Sequence, residues 1–277
     1  MSRGKPAPIV EGVVEALTHD GKGIVADAGK KVFVTGALPG ERVRYQRIRR
    51  RRSFDEARLV EVIDPDPGRQ DPRCPVFGVC GGCAMQHMTA AQQIAHKSRV
   101  LEDNLARIGG LPDVTLAEPL AGPVWHYRRR ARLGVKYVHA KERVLVGFRE
   151  RAKPYITDMQ ACPVLERAAA ELPGSLAGLI GGLSIRAELP QVEVAIGDNA
   201  KALVFRVLRT PSGDDLEALA AFERQSGFRV LLQPGGLTSV VPLATFAGKP
   251  AANADAPLHY RIEAAGVTLR FEPTDFI

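Results

Sequence analysis

The sequence predicts two units of different class: an N-terminal OB-like β-barrel over residues 1–66, then an α+β unit over 71–255 with a mainly antiparallel sheet. Three observations predict this. Five short runs rich in β-branched residues crowd into residues 9–64, each bounded by turn residues. A stretch dense in proline and glycine, Asp64-Pro65-Asp66-Pro67-Gly68, then punctuates the chain as a boundary or hinge. Beyond it, helix-period and strand-period runs alternate. The 277 residues suit roughly two domains, and a hydrophobic share of 45% is enough for buried cores.

The predicted barrel strands are Ile9–Leu17, Lys22–Ala26, Lys31–Thr35, Arg42–Ile48 and Ala57–Ile63, separated at Asp20-Gly21, Gly29, Pro39-Gly40 and Ser53-Phe54-Asp55. Five strands in so short a span suit a small closed barrel, where closure removes exposed sheet edges. In the second unit, Thr89-Ala90-Ala91-Gln92 is a capping-box pattern and starts a helix that runs to Arg107 or Ile108 and stops at Gly109-Gly110. Its apolar residues Ile94, Leu101, Leu105 and Ile108 fall near one face. Strands at Arg130–Val138 and Arg143–Arg149 form a hairpin turning at Lys141-Glu142. A helix follows Cys162 with Pro163 in its first turn. Strands Gln191–Ile196 and Ala202–Leu208, a helix over Gly213–Gln225 and a strand over Phe228–Leu232 complete a β-β-α-β run. Two short strands, Leu258–Ala264 and Val267–Phe271, precede an apolar Phe276-Ile277 end.

The net charge of +7 is unevenly placed. Residues 1–70 carry 14 Lys+Arg against 10 Asp+Glu, residues 71–165 carry 14 against 8, and residues 166–277 carry 10 against 13. A basic excess confined to the first 165 residues points to a polyanionic partner, nucleic acid before any other. No run of about 18 apolar residues marks a membrane span, and Met1–Pro6 leads into no apolar signal core, so the cytoplasm is the expected compartment.

In that compartment thiols stay reduced and hold metals more often than they form disulfides. The chain has four cysteines: Cys74-x5-Cys80-x2-Cys83, and Cys162 followed by Pro163. A [4Fe–4S] cluster needs four thiolates around one cube, several of them from one wrapped loop. Cys80-Gly81-Gly82-Cys83 offers such a loop, with glycines free to take positive φ and to aim N–H groups at sulfur. Zinc is the rival, but structural zinc sites usually pair two short Cys or His elements and only one is present here. The pattern favours iron–sulfur over zinc, and either over four thiols that never meet.

Two basic elements stand out. Arg47-Ile48-Arg49-Arg50-Arg51-Arg52 ends the fourth barrel strand, with Phe54 just beyond; guanidinium groups bind phosphate bidentately and stack on bases. Trp125-His126-Tyr127-Arg128-Arg129-Arg130-Ala131-Arg132 interleaves aromatics with arginines, the mixture used on single strands. Both are candidate RNA contacts. The bland alternatives are a solvated loop for the first and a partly core-facing strand for the second.

These residues together resemble the bacterial 23S ribosomal RNA uracil-C5 methyltransferases that carry a TRAM domain and a [4Fe–4S] cluster. The resemblance rests on Asp20-Gly21-Lys22-Gly23, Cys74-Pro75-x4-Cys80-Gly81-Gly82-Cys83, Gln86-His87, Tyr127–Arg132, Gly147-Phe148-Arg149 and Asp158-x3-Cys162-Pro163, in order along almost the whole chain. It implies a TRAM-like barrel that grips RNA, 23S rRNA above all, and a central domain whose Cys74, Cys80, Cys83 and Cys162 hold the cluster. It also implies S-adenosylmethionine as methyl donor in a Rossmann-like domain, where a cysteine thiolate adds to C6 of a flipped uracil so that C5 attacks the methyl group. It implies a monomer with no DNA or membrane partner. The four cysteines are already taken as ligands, no glycine-rich adenosylmethionine loop is evident, and residues 256–277 read as a lead-in to a further domain. The expectation is therefore a chain from which the Rossmann-like methyltransferase domain is missing, with no catalytic or adenosylmethionine-binding residue, inactive alone. A non-catalytic iron–sulfur RNA-binding protein and a tRNA uracil-C5 methyltransferase relative are the alternatives.

Overall fold

A computed structural model describes residues 7–250 and 257–275; the expected Phe276-Ile277 strand end and the Met1–Pro6 start lie outside the described residues. The chain divides into two compact units. Unit 1 comprises residues 1–78 and 83–122, and unit 2 comprises 79–82 and 123–277.

Unit 1 is built on six strands: β1 (Ile9–Val13), β2 (Ala16–Leu17), β3 (Lys22–Asp27), β4 (Lys30–Thr35), β5 (Arg42–Arg50) and β6 (Phe54–Asp64). They form one sheet in the order β1-β5-β6-β4-β3-β2. The first predicted strand is split in two at Val14-Glu15, where Val14 turns into the core and its N–H donates to the Glu41 carbonyl. Alternate residues point inward, and Val14, Val25, Val32, Val34, Val43, Tyr45 and Ala57 make one core. That core draws from both ends of the strand order, so the sheet curls on itself. A Cβ on Gly12 of β1 would lie 2.6 Å from Val25 Cγ1 of β3, a close approach that only glycine permits. The β3–β4 hairpin closes through Ala28-Gly29, both at positive φ, and Ala28 (φ 51°) is strained there.

Helix α1 (Ala90–Arg107) starts at the Thr89 capping box, with Gln92 answering Thr89, and ends at Ile108. Its expected apolar face is not buried: no α1 residue is, and Leu101 is 49% exposed. The Asp64–Gly68 stretch is pinned rather than hinge-like. The fully buried Glu41 carboxylate accepts from the N–H groups of Leu38 and Asp66 and from the Arg69 guanidinium, while Asp66 caps the Gly68 N–H.

Unit 2 holds a second six-stranded sheet. Its strands are β7 (Arg130–Val138), β8 (Arg143–Gly147), β9 (Gln191–Ile196), β10 (Lys201–Arg206), β11 (Arg229–Gln233) and β12 (Val241–Pro242), in the order β12-β11-β10-β9-β7-β8. Helices α2 (Leu172–Gly182), α3 (Gly213–Ser226) and α4 (Leu243–Phe246) accompany it, and a separate hairpin pairs β13 (Leu258–Ile262) with β14 (Val267–Phe271).

Two expectations need adjustment. The sheets are mixed: the unit 2 sheet is antiparallel in four of its five pairings, but β10 runs parallel to β11 because α3 carries the chain back between them, and in unit 1 β4 runs parallel to β6. No helix starts at Pro163; the proline that opens a helix is Pro173 in α2, while residues 162–166 run as loop and isolated bridge. β12 and α4 are too short to have shown a period. No helix among the described residues is long and apolar enough to cross a membrane.

Candidate nucleic-acid interface

In unit 1 the β5–β6 hairpin carries the first arginine run outward. A β-bulge between Arg47 and Arg49 puts Ile48 outside the ladder and re-aims the side chains that follow. Arg47 is thereby drawn inward. Its guanidinium donates to Asp27 and, at 3.1 Å, to Asp55, and lies over the Tyr45 ring. Asp55, 5% exposed, also accepts Lys30 Nζ at 2.7 Å and the Arg51 N–H at 3.3 Å. The electrostatics follow from these bonds. The Tyr45 hydroxyl and Arg47 hold the Asp27 carboxyl below the usual range, and the Lys30 hydrogen bond does the same for Asp55. Burial, then the hydrogen bond to Asp27, pushes the Tyr45 hydroxyl up to about 12. Burial, the largest influence, works against the charge on Arg47, but its hydrogen bond to Asp27 together with the charges of Asp27, Tyr45 and Asp55 raises its pKa.

Past the bulge the pattern changes. Arg49, Arg50, Arg51 and Arg52 are exposed, and none of them has an ion pair among the described residues. Phe54 packs its ring on Phe33, 5.0 Å between centroids, so it anchors the hairpin. Nearer the sheet body, Arg42 pairs with Asp64, and Arg44 pairs with Glu11 and Glu61. Sequence reasoning missed Lys30, Asp27 and Asp55 as the brace beneath the arginine tip.

In unit 2 the second run is occupied. Arg128 donates to the Arg130 carbonyl and lies 5.0 Å over the Phe148 ring. Arg129 pairs with Asp198, whose carboxyl is held below the usual range by that bond and by the Arg261 N–H. Arg130 donates to the carbonyls of Glu272 and Pro273 at 3.3 and 3.0 Å and lies over Phe271; burial lowers its pKa. Arg132 pairs with Glu193 at 3.1 Å. A groove of about 640 Å³ runs past Tyr127, Arg129, Arg132, Tyr260 and Phe271. His126, at φ 57°, donates its Nδ1–H to the Leu165 carbonyl at 3.0 Å.

The cysteines are mostly buried: Cys74, Cys80 and Cys162 are at most 8% exposed, and Cys83 is half-buried. Within unit 1, the Cys74 N–H donates to the buried Gln86 side chain at 3.1 Å, and Phe77 of the same loop packs on His87. Within unit 2, the Cys80 segment pairs with Glu150, and the Gly82 N–H points at Cys80 Sγ at 3.3 Å. Cys162 is anchored through its N–H to the Ala170 carbonyl. Neither Gly81 nor Gly82 takes positive φ. Gly81 is required instead because a Cβ there would sit 2.9 Å from the Arg149 carbonyl oxygen. Among the described residues no group of three or more His, Cys, Asp or Glu side chains is placed to hold a metal ion. Three of the four thiols are buried, and the Cys80 sulfur receives a backbone N–H.

No family model matches the chain. Curated relatives do. A 23S rRNA (uracil(1939)-C(5))-methyltransferase of Alkalilimnicola ehrlichii is 44% identical over 274 residues, covering 99% of this chain and 60% of the relative. Those of Aromatoleum aromaticum and Methylococcus capsulatus are 45% and 44% identical, over 95% and 99% of this chain. The chain spans about 60% of the length of the curated relatives it matches. Among solved structures, the Pyrococcus abyssi tRNA (uracil-54, C5)-methyltransferase in complex with S-adenosyl-L-homocysteine matches 96% of this chain and 60% of its own, with a TM-score of 0.63 and 17% identity, a likeness of fold. That match overturns the expectation of a chain defined by a missing methyltransferase domain, because nearly all of the chain shares a methyltransferase's fold. The expectation was drawn from four cysteines all taken as ligands, from the lack of a glycine-rich loop and from reading residues 256–277 as a lead-in, none of which reports on the fold itself. The inactivity deduced from it falls with it.

Proposed function

The chain is a relative of the 23S rRNA uracil-C5 methyltransferases, and from that premise we propose that it works in S-adenosylmethionine-dependent methylation of uracil C5 in 23S rRNA, with the unit 1 hairpin tip gripping the RNA. The observation that carries the grip is Arg49–Arg52, four exposed guanidinium groups with no carboxylate partner among the described residues, on a hairpin braced by Asp55. Unpaired arginines at a rigid tip lose little on binding and gain counterion release from each phosphate they neutralise. Arg129 and Arg132 are half-exposed but paired, so they contribute less.

Cys74, Cys80, Cys83 and Cys162 are proposed as the ligands of a [4Fe–4S] cluster. Their burial and the Gly82 N–H on Cys80 Sγ support the assignment, and no cysteine is then assigned to attack uracil. Iron and acid-labile sulfide measured on anaerobically purified protein test this; colourless protein with one zinc per chain would refute it.

The substrate is tested by competition binding with a 23S rRNA transcript, a tRNA transcript and single-stranded DNA of matched length. The 23S transcript is expected to bind tightest. Equal or tighter binding of tRNA would overturn the assignment to ribosomal RNA.

A further inference from the structure

Unit 2 has a second opening that the hairpin-tip reading leaves unused. A cleft of about 880 Å³ lies along β7, β8 and the loop that follows, lined by Lys136, Lys141, Arg149, Glu150, Tyr155 and Asp158 among others. We propose that this cleft binds a single-stranded RNA segment with one base stacked on Tyr155. The proposal rests on the reading of the chain as an RNA-binding protein and adds a second, separate contact to it.

The ring comes first. Tyr155 is 62% exposed, a large apolar surface left in water. Its backbone is nevertheless held: the Glu150 N–H donates to the Tyr155 carbonyl at 2.9 Å, Arg149 bridges to Ile156, and the Arg151 N–H donates to Val79 at 2.9 Å. An exposed aromatic on a fixed turn is a stacking platform whose ordering cost is already met. Lys153 Nζ lies over the ring, 6.0 Å from its centroid.

The charges point the same way. Glu150 is paired with Lys153 at 3.5 Å and Asp158 with Arg143, so both carboxylates of the lining are neutralised by residues outside it. Lys136, Lys141 and Arg149 have no ion pair among the described residues and are exposed. The cleft therefore carries a net surplus of mobile cations around a flat ring. Its volume lies in the range of ordinary ligand sites, wide enough for a nucleotide. An acidic peptide would satisfy the cations but has no use for the ring; a base uses both.

The test uses the full chain and a short oligouridylate carrying a single 2-aminopurine, whose fluorescence falls when it stacks on an aromatic ring. Quenching on binding is expected. Tyr155→Ala should abolish the quenching and weaken binding about tenfold, whereas Tyr155→Phe should retain both. The exposed site should leave the melting temperature unchanged. Lys136→Ala combined with Lys141→Ala should flatten the slope of log affinity on log salt by about 1.4. If Tyr155→Ala binds and quenches like the unaltered protein while a variant with Arg49–Arg52 replaced by alanine loses binding, the cleft proposal fails and the RNA-binding reading survives. If the unaltered protein binds no RNA, both fail. Displacement of the RNA by polyglutamate at equal concentration, with or without Tyr155, would identify the cleft as a site for acidic peptides and overturn the proposal.

Discussion

The two arginine runs read almost alike as sequence, yet they have opposite fates. Arg128–Arg132 of unit 2 are taken up one by one: by a backbone carbonyl, by Asp198, by the carbonyls of Glu272 and Pro273, and by Glu193. Arg49–Arg52 of unit 1 meet no acid among the described residues. What separates them is the neighbouring strand. Across β7 lies β9, with Glu193 opposite Arg132 and paired to it, whereas across β5 lies β6, whose Glu56 and Asp55 stand opposite Arg49 and Arg50 without pairing to them among the described residues, Asp55 being taken by Arg47 and Lys30. A basic run stays available to a polyanion only where the fold leaves it without counter-charges.

Replacing Arg49, Arg50, Arg51 and Arg52 together by alanine puts the largest strain on this contrast. RNA affinity should fall about 100-fold at low salt, and the slope of log affinity on log salt should flatten by about 3, while thermal unfolding stays cooperative at the same midpoint. An unchanged slope would reduce the tip to a solvated loop. Arg130→Ala should do the reverse: calorimetry should show a loss of about 1–2 kcal/mol of stability, because two carbonyls lose a charged donor, with the salt slope of RNA binding unaltered.

Asp198→Asn sharpens the comparison further by releasing Arg129 without removing it. Stability should fall by no more than about 1 kcal/mol, as expected of a pair this exposed, and RNA affinity should rise two- to threefold by filter binding, as an order of magnitude for one freed cation. The depressed carboxyl pKa of Asp198 sets the pH window: its contribution is present above about pH 4, the ordinary carboxylate value, and is lost as pH falls through the lower folded value. The smallest effect belongs to Tyr45→Phe, beneath the tip. The Tyr45 pKa is raised to about 12 in the fold, so its contribution is complete below about pH 10 and disappears as pH climbs toward 12, because the unfolded tyrosine ionises first. Denaturant titrations of the unaltered protein should therefore show a decline across that alkaline window that Tyr45→Phe lacks.

Local signals carried much of the architecture. β7 and β9 occupy the residues their apolar patterns indicate, α1 begins at its capping box, and α3 runs one residue past its expected end. Signals that depend on distant residues did not carry. Pro163 looks like a helix opener, but Cys162 donates to Ala170 and the chain turns before α2. Arg47 is indistinguishable from Arg49 in sequence, since the carboxylates that claim it stand 20 and 8 positions away. The alternation that marks β5 as a strand also hides its bulge, which shifts the register by a single residue.

One feature of the chain's path has a bearing on its inheritance. The polypeptide leaves unit 1 at Gly78, returns at Cys83 and leaves again at Gly122. Each unit is thus a mosaic of two separate stretches, and a single cut in the connector near Gly122 would still leave residues 79–82 of unit 2 covalently within the fragment that carries unit 1. Neither half can be shuffled between genes as one uninterrupted cassette. An insertion or crossover that spares both folds must respect three seams at once, which ties the arginine tip and the Cys80 loop to a common evolutionary fate.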